Sequence, residues 1–149
     1  MPLAPYGKEV IVTATFDKGT AFAAAAALLS RHNGNPWVVL HLWGQALELL
    51  LKAYLLNIDF DQYRKKLATR KFGHDLEALT REFLNNLGRQ PLPPEMLRQL
   101  SEINRWYMAH ALRYGSLVDI FSHHSTIESE RIIRLIVTLI SEGKKRKLF

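Results

Sequence analysis

Four polar side chains recur along an otherwise apolar stretch, and their types are those that bind ligands and move protons. They are His41, Gln45, Glu48 and Lys52, and they lie within residues 36–57. At about 100° per residue, spacings of four, three and four place all four within a sector of roughly 60° on a helix. The other positions are almost all apolar, which is typical of a helix that is buried on most sides. The sequence therefore predicts a buried helix with one narrow polar stripe.

Two interpretations of this polar stripe are open. Glu48 and Lys52 are four residues apart in the favoured order, so they can be simply an ion pair on an exposed helix surface. Alternatively, the stripe lines a ligand-binding cleft and faces Asn104, His110 or the equivalent helix of a second protomer. The second interpretation makes His41, Gln45, Glu48, Lys52 and Asn104 candidate ligand-binding residues.

Composition limits the class of protein. The chain has 149 residues, of which 48% are hydrophobic and 23% charged, as expected for a single globular domain. The formal net charge of +6 favours phosphate-bearing partners electrostatically. The absence of cysteine excludes disulfides, thiolate catalysis and cysteine metal sites. We expect a cytoplasmic protein with no membrane partner.

No cofactor or metal site is expected. Asp119 and His123 can share a helix face, but two ligands do not make a metal site. The sequence contains no glycine-rich phosphate loop, serine nucleophile motif or pair of catalytic carboxylates.

The pattern of apolar residues predicts an all-α, up-and-down helical bundle of about five to six helices. Residues 1–17 are expected to be an N-terminal extended segment, because residues 9–16 are β-branched and alternating. A single helical domain is expected over 18–142, followed by a basic tail at 143–149. Its helices are predicted at about 17–32, 36–57, 72–87, 94–114 and 131–140, with 59–70 either a helix or an ordered loop.

Three segments together resemble the HEPN superfamily, an all-α family of domains linked to nucleotides and RNA. Residues 45–53, QALELLLKA, are similar to the family's second-helix pattern. Residues 73–76, GHDL, open a helix after a basic loop, as in one branch of the family. Arg113-Tyr114 stands where family members often have Arg-Tyr-Pro, although Gly115 replaces the proline here. The resemblance covers roughly residues 20–142.

The resemblance implies two kinds of function. Ribonuclease members of the family carry an arginine and a histidine with four to six residues between them, and Arg105 and His110, with four residues between them, fit the shortest spacing. Such enzymes cut RNA without metal at a cleft between two protomers. Carried over, His110 would be the acid or base and Arg105 would stabilise charge on the phosphate. Other members are non-catalytic interaction modules, which implies a nucleotidyltransferase-type partner protein as the alternative.

The catalytic interpretation carries a geometric condition. Residues five apart on a straight helix point roughly 140° away from each other. Arg105 and His110 can therefore meet on one phosphate only if the helix bends or if the partner of a homodimer supplies one of them. The alternative is a surface Arg105 paired with Glu102, together with a half-buried His110 in a local hydrogen bond. Two interpretations are also open for His74: it is either a helix-start residue or part of the binding site.

Overall fold

The computed structural model describes residues 4–88, 93–108 and 130–145, and all the regular structure in these ranges is helical. The elements in chain order are α1 (Pro5–Arg31), α2 (Pro36–Ile58), α3 (Phe60–Leu67), α4 (Arg70–Gly73), α5 (Leu76–Leu87), α6 (Pro94–Met108) and α7 (Glu130–Lys145). Because α4 is a single turn, the described ranges hold six longer helices. The predicted all-α helical bundle of five to six helices is confirmed.

Helix α2 is the centre of the bundle, with α1, α3, α5, α6 and α7 packed around it. Its start follows from local sequence: Pro36 occupies the first turn, and the Asn35 side chain accepts from the backbone N–H of Trp37 at 2.9 Å. Asp59 ends α2 and also caps α3, accepting from Gln62 N at 3.0 Å. The predicted boundaries of this helix are therefore confirmed.

The length and apolarity of α2 would also allow it to cross a membrane. Among the described helices, α2 is the one that is long and apolar enough to span a membrane. In its most apolar stretch of 18 residues, 61% is buried inside the bundle. The core helix of a helical bundle meets the same test, so this finding carries no conclusion about a membrane.

The prediction of an extended N-terminal segment at 1–17 is wrong for the described part, because α1 runs unbroken from Pro5 to Arg31. The buried positions of α1 follow a helical period that continues on both sides of residue 17, the predicted start of this helix. They are Val12, Phe16, Gly19, Ala23 and Ala26. This face packs against α2, and the burial it gains outweighs the extended preference of the β-branched residues.

Helix α1 is fixed against its neighbours at its middle and near its start. A side chain at Gly19 would place its Cβ only 3.1 Å from Leu50 Cγ, so the glycine permits the close approach of α1 to α2. Near the start of α1, the Lys8 amine forms an ion pair with Asp61 of α3 at 2.5 Å and lies 5.7 Å from the centre of the Phe60 ring. The first turns of α1 therefore help to position α3.

The remaining helices close the bundle. Helix α5 begins at Leu76, four residues after the predicted start at 72, because a separate turn, α4, ends at Gly73. It ends as predicted at Leu87, followed by Gly88, which adopts a φ of 60° that favours glycine. Helix α7 buries Ile132, Ile136 and Leu139, and the Tyr54 hydroxyl of α2 donates to the carbonyl of Leu139. Because α7 continues to Lys145, the predicted basic tail at 143–149 begins as helix. The predicted continuation of α6 to residue 114 lies outside the described residues.

Helix formation at 9–16 can be tested with Ala14→Pro, since Ala14 is exposed within α1. The proline removes one backbone hydrogen bond and clashes with the preceding turn, so we expect the free energy of unfolding to fall by about 3 kcal/mol. The control, Ala14→Gly, keeps the N–H and should cost only about 1 kcal/mol. Urea denaturation followed by circular dichroism measures both. Equal effects of the two substitutions would mean that this segment is not helical.

Candidate functional site

The carboxylate of Glu48 is buried in the bundle and is surrounded by three donors. Its side chain is only 5% exposed. The Lys52 amine donates to Oε1 at 2.5 Å, and the Tyr107 hydroxyl donates to Oε2 at 2.5 Å. His74 Nδ1 lies 3.2 Å from Oε1 and 3.3 Å from Oε2. These four residues, with Gln45, form the Glu48 cluster, which joins α2, α6 and the turn between α4 and α5.

Tyr107 links the polar stripe of α2 to α6. Its hydroxyl accepts from Gln45 Nε2 at 2.6 Å while it donates to Glu48. The ring lies directly on Gly44, where an added Cβ would come within 2.7 Å of Tyr107 Cδ2. The imidazole of His41 stacks with the Tyr107 ring, with centroids 6.0 Å apart and planes at 27°. Three residues of the stripe, His41, Gln45 and Glu48, therefore contact Tyr107, and Lys52 is joined to them through Glu48.

A tight turn between α4 and α5 presents His74 to Glu48. The backbone crosses so close to Leu67 that a Cβ at Gly73 would lie 2.1 Å from the Leu67 carbonyl oxygen, which explains the glycine. Asp75, not His74, caps α5, because its side chain accepts from Ala78 N at 3.0 Å. The side chain of His74 is left to contact the carboxylate of α2.

Asn104 fixes this turn from the opposite side. Its Oδ1 accepts from Leu76 N at 2.8 Å, and its Nδ2 donates to Asp75 Oδ1 at 3.0 Å. Asn104 is buried, and both ends of its amide are used on the first turn of α5. The predicted ligand-binding residue therefore contributes to the site by holding the His74 turn on α6.

A second polar cluster stabilises the segment that leads to this turn. The Tyr63 hydroxyl donates to Glu82 Oε1 at 2.8 Å, and the Lys66 amine pairs with Glu82 Oε2 at 3.0 Å. Burial and the adjacent Glu82 carboxylate raise the pKa of Tyr63, while Lys66 and Tyr63 outweigh burial and lower the pKa of Glu82. The Lys66 amine also lies 4.5 Å from the centre of the Phe72 ring. This cluster holds α3 and α4 against α5.

The environment of Glu48 keeps its carboxyl group ionised. Burial pushes the pKa of Glu48 upward, but the hydrogen bond and charge of Lys52, together with the hydrogen bonds of Tyr107 and His74, outweigh burial and lower the pKa below its usual value. An ionised carboxylate only accepts hydrogen bonds, so the facing Nδ1 of His74 carries a proton. A carboxylate that stays ionised is suited to orienting an imidazole rather than to donating a proton itself.

His74 is the member of the cluster that reaches solvent, with a side chain that is 51% exposed. Because Glu48 fixes the proton on Nδ1, the neutral ring has a lone pair on Nε2. No residue that the structure describes forms a hydrogen bond with Nε2. A carboxylate-oriented imidazole of this kind can accept a proton or, once protonated, bind an anion. The His74 ring therefore links the buried carboxylate of Glu48 to an accessible nitrogen, Nε2.

Of the two predicted catalytic residues, Arg105 lies within the described residues and His110 does not. Arg105 is exposed on α6, and its guanidinium lies 5.3 Å from the ring centre of the neighbouring Trp106. The Trp106 ring in turn packs edge-on against Trp37 of α2 at 5.7 Å. Glu102, the expected partner of Arg105, instead lies 3.9 Å from Arg98. His110 lies outside the described residues, so the predicted pairing of Arg105 with His110 stays a prediction.

The structure brings five of the predicted site residues together: His41, Gln45, Glu48, Lys52 and His74. The interpretation of Glu48 and Lys52 as an exposed ion pair is wrong, because the pair exists but is buried. Tyr107, which also belongs to this site, was not among the predicted site residues. The hydroxyl of Tyr107 could have indicated a polar contact, since a buried tyrosine hydroxyl usually requires a hydrogen-bonding partner.

Within the described ranges, no three His, Asp or Glu side chains are grouped to hold a metal ion, and Asp119 and His123 lie outside those ranges. Comparisons with family models, with curated proteins and with solved structures found no match to this chain. The HEPN-like assignment therefore stays a prediction from the sequence motifs.

The lowered pKa of Glu48 predicts a specific pH dependence of stability. As pH falls below about 4.5, the ordinary pKa of glutamate, the unfolded chain takes up this proton before the folded protein does. The free energy of unfolding should therefore decrease as pH falls from there through the folded-state pKa. We expect Glu48→Gln to reduce this slope by up to about 1.4 kcal/mol per pH unit, as measured by urea denaturation at a series of pH values.

The control for the loss of one negative charge is Glu130→Gln, on the exposed surface of α7. An acid-side slope that is the same in Glu48→Gln as in the original protein would contradict the ionised, donor-held state of this carboxylate.

Proposed function

We propose that this chain is a HEPN-like helical domain that engages RNA or a nucleotide, and that His74 contacts the phosphate. The observation that carries the proposal is the half-exposed imidazole of His74, whose Nδ1 is held by the buried carboxylate of Glu48. With a proton on Nε2 the ring is a cation, and its Nε2–H can donate a hydrogen bond to a phosphate oxygen. The result is a fixed donor aimed outward from the bundle.

The charge of the whole chain supports a phosphate-bearing ligand. The net charge of +6 raises the local concentration of polyanions around the protein. His74 also follows the basic segment that contains Arg64, Lys65 and Lys66.

The exposed end of α6 offers a second feature that suits RNA. The guanidinium of Arg105 stacks over the Trp106 indole, and together they present a cation and an aromatic surface. Such pairs bind phosphates and stack on unpaired bases. In the catalytic version of the proposal, two protomers form the cleft, Arg105 stabilises charge on the phosphate and His110 moves the proton of the 2′-hydroxyl.

Binding can be measured by fluorescence anisotropy with a labelled single-stranded RNA and by competition with a panel of nucleotides. We expect His74→Ala to weaken binding roughly ten-fold, since a hydrogen bond to a charged group is lost. His32→Ala is the matched control, because His32 is exposed at the end of α1, away from the Glu48 cluster. Equal affinities of the two variants, or no binding of RNA and nucleotides by the original protein, would overturn the proposal.

Cleavage is tested by incubating total RNA with the protein in the presence of a chelator. We expect cleavage that is lost in His110→Ala and in Arg105→Ala and is retained in Arg98→Ala, an exposed arginine two turns earlier on the same helix. Sedimentation of the same samples reports whether the active species is a homodimer. If the original protein binds RNA without cutting it, the catalytic version is excluded and the binding proposal stands.

A further inference from the structure

A groove of about 420 Å³ lies between α1, α2 and α3. Its lining consists of residues from all three helices and the turn after α3: Ile11, Thr15, Leu49, Lys52, Leu56, Phe60, Arg64, Leu67 and Ala68. This volume falls within the range of pockets that hold small molecules. The groove borders the Glu48 cluster, because Lys52 belongs to both and Leu67 lies against Gly73, the residue before His74. His74 itself is not part of the lining.

The lining is apolar, with a single uncompensated charge. Thr15 uses its hydroxyl to donate to the Ile11 carbonyl at 2.7 Å. The amine of Lys52 is paired with Glu48 at 2.5 Å. Arg64 is exposed and forms no ion pair with any residue in the described ranges, and no acidic side chain lines the groove. The groove therefore combines a hydrophobic floor with one available guanidinium.

We propose that this groove binds a monoanionic amphiphile, a medium-chain fatty acid, with its carboxylate on Arg64 and its alkyl chain along the floor. A guanidinium matches a carboxylate with two parallel hydrogen bonds, and the single available charge matches a single negative charge. The floor side chains Leu49, Leu56 and Phe60 offer only apolar surface to the chain. A nucleotide fits this lining poorly, because the lining leaves no polar side chain to hydrogen-bond a base or a ribose.

Calorimetric titration with hexanoate, octanoate and decanoate, below their micelle concentrations, tests the hydrophobic part. Each added methylene should tighten binding roughly four-fold until the groove is full. Octanol, which has the same chain without the charge, should bind at least about ten-fold more weakly than octanoate. No saturable binding of decanoate, or equal binding of octanol and octanoate, would overturn the inference.

Substitutions in the groove test the location. Arg64→Gln should weaken octanoate binding roughly ten-fold or more, whereas Lys65→Gln, the exposed neighbour that does not line the groove, should leave it unchanged. Ile11→Glu, at a partly exposed position of the lining, should abolish binding by repelling the carboxylate. Equal effects of Arg64→Gln and Lys65→Gln would overturn the inference. The His74→Ala variant should bind octanoate normally, so this result is independent of the proposed RNA function.

Discussion

A carboxylate placed inside a helical bundle must be supplied with donors, and this requirement organises the protein around Glu48. An ionised group loses its hydration when it is buried, and the loss is offset only if hydrogen bonds and an opposite charge replace the water. Lys52 supplies the charge from the next turn of α2, Tyr107 supplies a hydroxyl from α6, and His74 supplies a ring nitrogen from the α4–α5 turn. One side chain thereby fixes the relative positions of three elements.

The surrounding structure is adapted to that arrangement. Gly44 leaves room for the Tyr107 ring on the surface of α2, and Gly73 lets the chain turn tightly enough to present His74. Asn104 then holds the start of α5 against α6. The three residues lie far apart in sequence, yet each serves the geometry of the same carboxylate. As a result, the solvent-accessible imidazole of His74 has its orientation and its tautomer fixed by a carboxylate inside the bundle.

Local sequence predicted those elements whose ends carry strong conformational preferences. The start of α2 at Asn35-Pro36 and the end of α5 at Gly88 could both be predicted. Asn35 accepts hydrogen bonds from the first backbone N–H groups of α2, and Gly88 adopts the left-handed conformation that ends a helix. Residues 9–16 were predicted wrongly because β-branched residues alternate there. The helical period of Val12 and Phe16, which packs α1 on α2, outweighs that preference once the tertiary contact forms.

The candidate site was predictable in part for a similar reason. The polar stripe was visible because its residues share one helix face, so their grouping depends only on the helical repeat. The contacts of Glu48 with His74 and Tyr107 join positions 26 and 59 residues apart, and no local pattern in the sequence encodes such pairs. The role of Asn104 as a support for α5 depends on the same long-range packing.

A double-mutant cycle between Glu48→Gln and Tyr107→Phe tests the central role of this carboxylate most directly. Free energies of unfolding from urea denaturation give the coupling between the two side chains. A buried charge-assisted hydrogen bond predicts a coupling of about 1–3 kcal/mol. Additivity of the two substitutions to within about 0.5 kcal/mol would show that Tyr107 does not hold Glu48, and would contradict the account.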